Sequence, residues 1–279
     1  MATAPKLAFW KKKRNSPDDP EEFRLTLVEH LEELRSRIIR SLVILVAGWV
    51  IGWFIEPPIF NSLQTTIKRT VDPILFRHHI ESKYVWSNAT DPFLFKFKLS
   101  LIIGLVLTFP FLILQLWGFV EPALKPRERK PFRIAAPLSL VLFAMGASFS
   151  WFIIPDAIGW FTTYVEEFPG TALYQHVPDL IFFSMKLLLA FGIGFQLPLI
   201  VYALNALGFL ETETLMTHWR KATFAVFAAA MIVTPSNDFF TMLSMAIPVS
   251  VLFLVTVVVV KFASKRRAKR AALEPDGDE

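Results

Sequence analysis

The sequence predicts an all-α, polytopic integral membrane protein with six transmembrane helices, both termini in the cytoplasm and a short fifth helix. The 279-residue chain is 54% hydrophobic and 19% charged, with a mean hydropathy of +0.47. This composition excludes a disordered chain and is too apolar for an ordinary soluble enzyme. Apolar stretches of about 20 residues, the length that crosses a bilayer, recur along the chain. Basic residues cluster in alternate loops, which sets the orientation.

Residues 1–37 are predicted to form a cytoplasmic segment with an amphipathic helix. A basic run near the start is followed by an acidic stretch rather than an apolar core, so the segment is not a cleavable signal. Residues 19–22 read as a helix start, with Asp as N-cap, Pro at the first helical position and Glu completing a capping box. Four apolar residues then share one helix face: Leu27, Leu31, Leu34 and Ile38.

A six-helix membrane domain is predicted over 38–262, followed by a charged cytoplasmic tail at 263–279. Residues 56–92 and 155–179 are expected to be outer loops, whose apolar residues form short helices that cap the bundle at the interface or gate access to its concave side. Pro110 should kink the second span. The six expected spans are 38–55, 99–120, 134–154, 180–207, 222–234 and 239–260.

The fifth predicted span is too short to cross a bilayer unaided. Residues 222–234 reach about 20 Å as a helix, against roughly 30 Å of hydrocarbon. Such a segment spans only where the bilayer is thin or where neighbouring helices shield its ends. A short span therefore favours a partner helix beside it.

The basic residues place both termini inside. Nine Lys and Arg residues precede or enter the first span, through Arg40; five lie in 121–133, two at 220–221 and six in 261–270. The predicted outer loop at 155–179 contains none. With both ends on the same side, an even number of spans is required.

The chain carries no sequence signature of an enzyme, a cofactor or a metal site. It has no Cys, which excludes disulfides and thiolate chemistry. His30 lies beside two glutamates but lacks a second His one turn away, so a zinc protease motif is not formed. No phosphate-binding loop is present, so ATP hydrolysis is not expected, nor is nucleic-acid binding.

An ion- or proton-coupled transporter of small solutes is the alternative interpretation. It predicts charged residues near mid-membrane and internal repeat symmetry. The sequence has no internal repeat, and only Lys186, in the outer part of the fourth span, is a candidate charge.

Two inner-face stretches carry acids among bases. Residues 30–35 read His-Leu-Glu-Glu-Leu-Arg, and residues 117–130 read Trp-Gly-Phe-Val-Glu-Pro-Ala-Leu-Lys-Pro-Arg-Glu-Arg-Lys. A surface ion pair between Glu33 and Arg37 would account for the first. A loop that binds anionic lipid head groups would account for the bases of the second, but not for Glu128 among them.

Together with Phe-Gly-Ile-Gly-Phe-Gln-Leu-Pro at 191–198, Thr-Pro at 234–235 and Ala-Ile-Pro at 246–248, these stretches resemble TatC, the core subunit family of the twin-arginine protein translocase. The resemblance runs from about 23 to 262, with the motifs in the family's order. It implies a receptor in the prokaryotic inner membrane that binds the twin-arginine signal peptides of folded cargo at its cytoplasmic face. It also implies export driven by the proton-motive force, with single-span TatA- and TatB-type partners and further copies of the chain.

The resemblance assigns signal-peptide binding to Glu33, Arg35, Phe119 and Glu128. Glu33 and Glu128 match acids at the cytoplasmic face, and a carboxylate suits a guanidinium because the two groups pair through parallel hydrogen bonds. Phe119 matches an aromatic expected to pack on the peptide's apolar part. Arg35 matches an arginine, to which we assign the role of holding Glu33 or a neighbouring carboxylate.

Gln196 stands where many relatives of the family carry a glutamate. An amide does not titrate, so a proton relay is not expected here; it would bond to a peptide or water, or join two helices. Met231 and Ile232 match positions linked to docking of a single-span partner. Thr241 is expected either to hydrogen-bond to the incoming helix or to pack internally.

Overall fold

The computed structural model describes residues 27–120, 129–168, 170–236 and 238–271. It is helical throughout apart from one pair of short strands, which confirms the all-α membrane fold. Five of its helical stretches are long and apolar enough to cross a membrane. The predicted N-cap at residue 19, the acid at 128 and the tail beyond 271 lie outside the described residues.

Eight helices and two strands form the described part of the chain. A short 3-10 helix, Tyr164–Glu167, follows the third helix. The elements in chain order are α1 Leu27–Arg77, β1 Ser82–Val85, α2 Asp91–Val120, α3 Arg129–Thr163, β2 Leu173–His176, α4 Val177–Gly194, α5 Leu197–Ala206, α6 Thr212–Thr217, α7 Trp219–Val233 and α8 Phe239–Ala271.

The first helix is much longer than predicted. α1 runs for 51 residues, a length of about 75 Å, straight through Pro57, Pro58 and Pro73. The expectation that residues 56–92 form a loop with short helices is therefore wrong for residues 56–77. Prolines usually end a helix, but here tertiary burial prevails: every fourth residue of the outer half is at most 2% exposed, namely Leu63, Ile67, Val71 and Leu75.

The main apolar core lies where this outer half of α1 meets the rest of the bundle. The inner half of α1 is different, because its apolar side chains, such as Leu42 and Val50, are more than half exposed and face lipid. The same buried cluster contains residues of other helices, among them Leu99 and Ile103 of α2, Ile154 and Ile158 of α3, Ile181 and Phe191 of α4, and Met245 and Val249 of α8.

A parallel strand pair joins the two outer segments and was not predicted. β1 and β2 pair in register from Ser82 with Leu173 to Val85 with His176. Both strands have only four residues, too few for an alternating pattern to stand out from the surrounding sequence. The pair turns two connections that are distant in sequence into one outer cap.

Side-chain contacts reinforce this outer cap. His78 Nε2 lies 2.8 Å from Glu166 Oε1, which ties the end of α1 to the 3-10 helix. The Tyr84 hydroxyl donates to Asp72 Oδ1 at 2.9 Å, and burial together with this bond raises the pKa of Tyr84. The phenol therefore remains a donor throughout the physiological pH range.

The later spans also differ from the prediction at their ends. α3 continues through Pro155 to Thr163, nine residues beyond the expected end, and its outer part packs into the core. The fourth span is divided into α4 and α5 by a break at Phe195 and Gln196.

The short fifth span is confirmed as a helix. α7 has 15 residues, about 22 Å, and is the sixth apolar helix beside the five long stretches. Six spans and an even topology are consistent with this arrangement, when α4 and α5 count as one.

Glycines bring α1 and α2 into backbone contact. A Cβ atom on Gly52 would lie 2.3 Å from the Ser100 carbonyl oxygen, and one on Gly104 would lie 2.6 Å from the Trp49 nitrogen. Gly48 and Gly52 form a small-xxx-small pattern, which allows close helix approach where lipid offers no hydrophobic driving force. Trp49 adds a hydrogen bond across the contact, from Nε1 to Ser100 Oγ at 3.1 Å.

Gly52→Ala should lower the free energy of unfolding by about 1–3 kcal/mol, because the added methyl meets backbone that cannot rotate away. Thermal unfolding of the purified protein in detergent measures the change. Val50→Leu, on the lipid-facing side of the same helix, should change stability by less than about 0.5 kcal/mol. Equal stability of Gly52→Ala and the parent would show that the two helices are not in tight contact.

Candidate functional site

The inner ends of α1 and α2 meet at an ion pair. Arg37 Nε and Nη2 both donate to Glu33 Oε1, at 3.0 and 2.8 Å, one helical turn apart on α1. The Glu33 and Arg37 side chains are each 22% exposed. This partial removal from water strengthens the pairing over that of a fully exposed pair.

The same guanidinium reaches the last turns of α2. Arg37 Nη1 donates to the Gln115 carbonyl oxygen at 3.5 Å. A Cβ atom on Gly118 would lie 2.3 Å from Nη1, so the missing side chain there provides the space for the guanidinium. The dipole of α2 favours a cation at this end of the helix. Arg37 therefore fixes Glu33 relative to the end of α2.

The predicted inner-face residues are brought together only in part. Phe119 is partly buried in the last turn of α2, next to Gly118, and so lies at the helix end that Arg37 contacts. Arg35 is exposed, and the ion pair of Glu33 is made by Arg37, so a neighbouring carboxylate remains the expected partner of Arg35. Glu128 lies outside the described residues, one position before α3.

Gln196 joins two helices. It is 6% exposed, and its Nε2 donates to the Ser139 carbonyl oxygen of α3 at 3.0 Å. Of the two expectations for this amide, the interhelical hydrogen bond is therefore present. Its Oε1 is buried and has no hydrogen-bond partner among the described residues. The bond lies at the break between α4 and α5 and secures that break against α3.

The residues expected to dock a partner helix fall into two groups. Met231 and Ile232 are 55% and 83% exposed at the outer end of α7. Thr241 is fully buried, which corrects its assignment to a docking surface. Its hydroxyl contacts Asp238 and lies 2.9 Å from Ser236 Oγ, and its backbone N–H donates to Asp238 Oδ1 at 2.8 Å. Thr241 thus completes the N-terminal cap of α8.

Comparison with known proteins gives one consistent result. The family profile of the Sec-independent protein translocase protein (TatC) matches residues 29–248. The chain belongs to the TatC family.

Relatives and solved structures agree along nearly the whole chain. The TatC of Carboxydothermus hydrogenoformans is 32% identical over 87% of this chain and 95% of its own length. The TatC of Xylanimonas cellulosilytica is 31% identical over 89% and 88%. A crystal structure of the twin-arginine translocase receptor TatC matches with a TM-score of 0.68 and 30% identity, over 85% of this chain and 100% of that one.

This TatC-family chain is therefore an integral inner-membrane component of the twin-arginine protein translocase, in which it functions with other subunits. TatC is a translocase subunit and not a catalytic family, so the chain is not an enzyme. Among the residues that the structure describes, no group of three or more His, Asp or Glu side chains is placed to hold a metal ion.

Sequence reasoning missed the two residues that complete the inner site of this TatC-family chain. Arg37 was recognised as a helix-surface partner of Glu33, but its reach to α2 was not. The contact at Gly118 could have been suspected from the sequence. A glycine in the last turn of a predicted span, next to an aromatic residue, indicates that another group approaches closely.

Gln196→Glu should lower stability at neutral pH by about 1–3 kcal/mol, because an ionised carboxylate cannot donate to the Ser139 carbonyl oxygen. In acid the carboxyl becomes protonated and can donate, so the loss should shrink as the pH falls. Unfolding of the variant and the parent in detergent, across a pH series, measures this. Gln196→Met, which does not titrate, serves as control; a loss for Gln196→Glu that is independent of pH would contradict the assigned bond.

Proposed function

We propose that this chain is the receptor of the translocase and binds twin-arginine signal peptides at its inner face, with Glu33 and Glu128 as the carboxylates that receive the paired arginines. The observation that carries the proposal is the Arg37 contact, which holds an acid of α1 against the end of α2. Residue 128 follows that end by eight positions in the sequence.

The Glu33 carboxylate can accept hydrogen bonds from a second cation. Both hydrogen bonds from Arg37 reach Oε1, so Arg37 does not occupy Oε2, which can accept from an arriving guanidinium. Because Arg37 already fixes the rotamer, the carboxylate loses little further conformational freedom when the peptide binds. The partly buried surroundings increase the strength of a charged hydrogen bond over its value in water.

The neighbouring residues supply the rest of the recognition. Phe119, at the last turn of α2, would pack against the apolar part of the signal peptide that follows its arginines. Arg35 is exposed on α1, and we assign it to the carboxylates around the site rather than to direct contact with the peptide arginines.

The outer end of α7 is proposed as the place where single-span TatA- and TatB-type subunits dock. Met231 and Ile232 are exposed there, on a helix shorter than the hydrocarbon thickness. A partner helix beside α7 would cover these side chains and shield the helix ends. Export itself would draw on the proton-motive force, with further copies of the chain in the assembled translocase.

Glu33→Ala and Glu128→Ala should each weaken binding of a labelled twin-arginine peptide to the purified protein by about tenfold or more, the effect of losing a charged hydrogen bond. Fluorescence anisotropy in detergent measures the affinity. Exchanging the two peptide arginines for lysines should weaken binding as well, because an ammonium lacks the forked geometry. Glu32→Ala removes an exposed neighbouring acid and should have little effect. Parent-like affinity of the double variant would refute the acidic site.

Replacing both Met231 and Ile232 by Ala should reduce the amount of single-span subunit that copurifies with the chain, because the exposed apolar contact is lost. Binding of the twin-arginine peptide should not change, since the inner face is untouched. Val258→Ala, on the lipid-facing side of α8, is the matched control. Unchanged copurification of the double variant would place the docking surface elsewhere.

A further inference from the structure

A cavity of about 350 Å³ lies on the outer face beside β2. Its walls come from the outer end of α3, the 3-10 helix, β2, the first turn of α4 and the turn before α8. Phe161, Leu180 and Phe183 make the walls largely apolar. No residue of β1 lines it, so the cavity lies on the side of β2 that faces away from its partner strand.

An unpaired amide borders this cavity. Gln175 is 7% exposed, and neither its Nε2 nor its Oε1 has a hydrogen-bond partner in the described part of the chain. Burying an amide without partners is unfavourable. Gln175 is one of the residues that line the cavity, and because both of its amide atoms are buried, a change of its side-chain rotamer is needed to bring donor and acceptor to a ligand bound there.

The free edge of β2 faces the same space. Leu173 N donates to the Glu81 carbonyl oxygen at 3.0 Å, which directs the Leu173 backbone toward β1. Successive residues of a paired strand direct their backbone groups to opposite edges, so Tyr174 directs its N–H and C=O away from β1. All four residues of β2 line the cavity although their side chains alternate, which shows that the cavity follows the strand edge.

We propose that this cavity binds an extended, uncharged segment of another polypeptide chain, which adds to β2 as a third strand. The Tyr174 backbone pairs with the segment, and the Gln175 carboxamide meets one of its peptide units. A peptide unit offers an acceptor and a donor, the complement of that amide, and extended segments commonly bind by adding to a free strand edge. The apolar walls favour uncharged side chains.

The probe is a fluorescent Thr-Val-Thr-Val-Thr peptide, acetylated and amidated at its ends, titrated into the purified full-length protein in detergent. It should bind, and the same peptide with alternate amides N-methylated should bind at least tenfold more weakly, because its backbone donors are blocked. Gln175→Leu should weaken binding about tenfold. Absence of binding at concentrations on the order of 1 mM, or equal affinity for the methylated peptide, would overturn the proposal.

Two further variants separate recognition from folding. Tyr174→Pro removes an edge N–H that does not pair with β1, a position where proline is tolerated, and should also weaken binding. Thr162→Val removes a cavity hydroxyl that already donates to the Ile158 carbonyl oxygen at 2.8 Å, and should not. Gln175→Leu should unfold at the parent temperature or above it. Parent-like affinity of both Gln175→Leu and Tyr174→Pro would show that the amide is satisfied by water alone.

The cavity beside β2 lies on the opposite face of the molecule from the signal-peptide site, and the two sites are independent of each other. Glu33→Ala should bind the strand peptide as the parent does, and Gln175→Leu should bind the twin-arginine peptide as the parent does. Loss of both activities in either variant would indicate general misfolding. In that case the affinity of Tyr174→Pro for the strand peptide tests the proposal.

Discussion

The close approach of α1 to α2 determines where the inner-face groups lie. Glycines allow the two backbones to touch in mid-membrane, and Arg37 joins the same two helices at their inner ends. In lipid, neither contact can rely on the hydrophobic effect, so shape and hydrogen bonding carry the association. A wider separation of these helices would remove Glu33 from the end of α2 and disassemble the surface that we propose as the receptor.

Outside this helix pair, one buried apolar cluster runs through the bundle, from Ile181 on the outer side to Val226 and Val260 on the inner side. There α1, α3, α4 and α8 share one buried core, and the strand pair closes the connections above it. Towards the inner side, α1 is covered mostly by lipid. The inner half of α1 thus contributes little to the shared core, whereas its outer half is buried in it.

The spans, their orientation and the short fifth helix could be predicted because bilayer thickness and charge asymmetry act locally on the sequence. The continuation of α1 through Pro57 and Pro58 could not, because it depends on burial of Leu63 and Ile67 by helices far away in sequence. The β1–β2 pair is likewise a long-range contact between four-residue segments. At the inner face, the i,i+4 spacing predicts the Glu33–Arg37 ion pair, but the contact of Arg37 with the end of α2 depends on how two helices pack and could not be predicted.

The continuity of α1 limits how its two ends can move relative to each other. One continuous helix carries Glu33 on the cytoplasmic side. About 45 Å further along its axis it carries Leu63, the first of its core residues on the periplasmic side. The two ends of an unbent helix cannot tilt independently. Between Glu33 and Leu63, Pro57 and Pro58 lack a backbone N–H and are the residues at which this helix can bend.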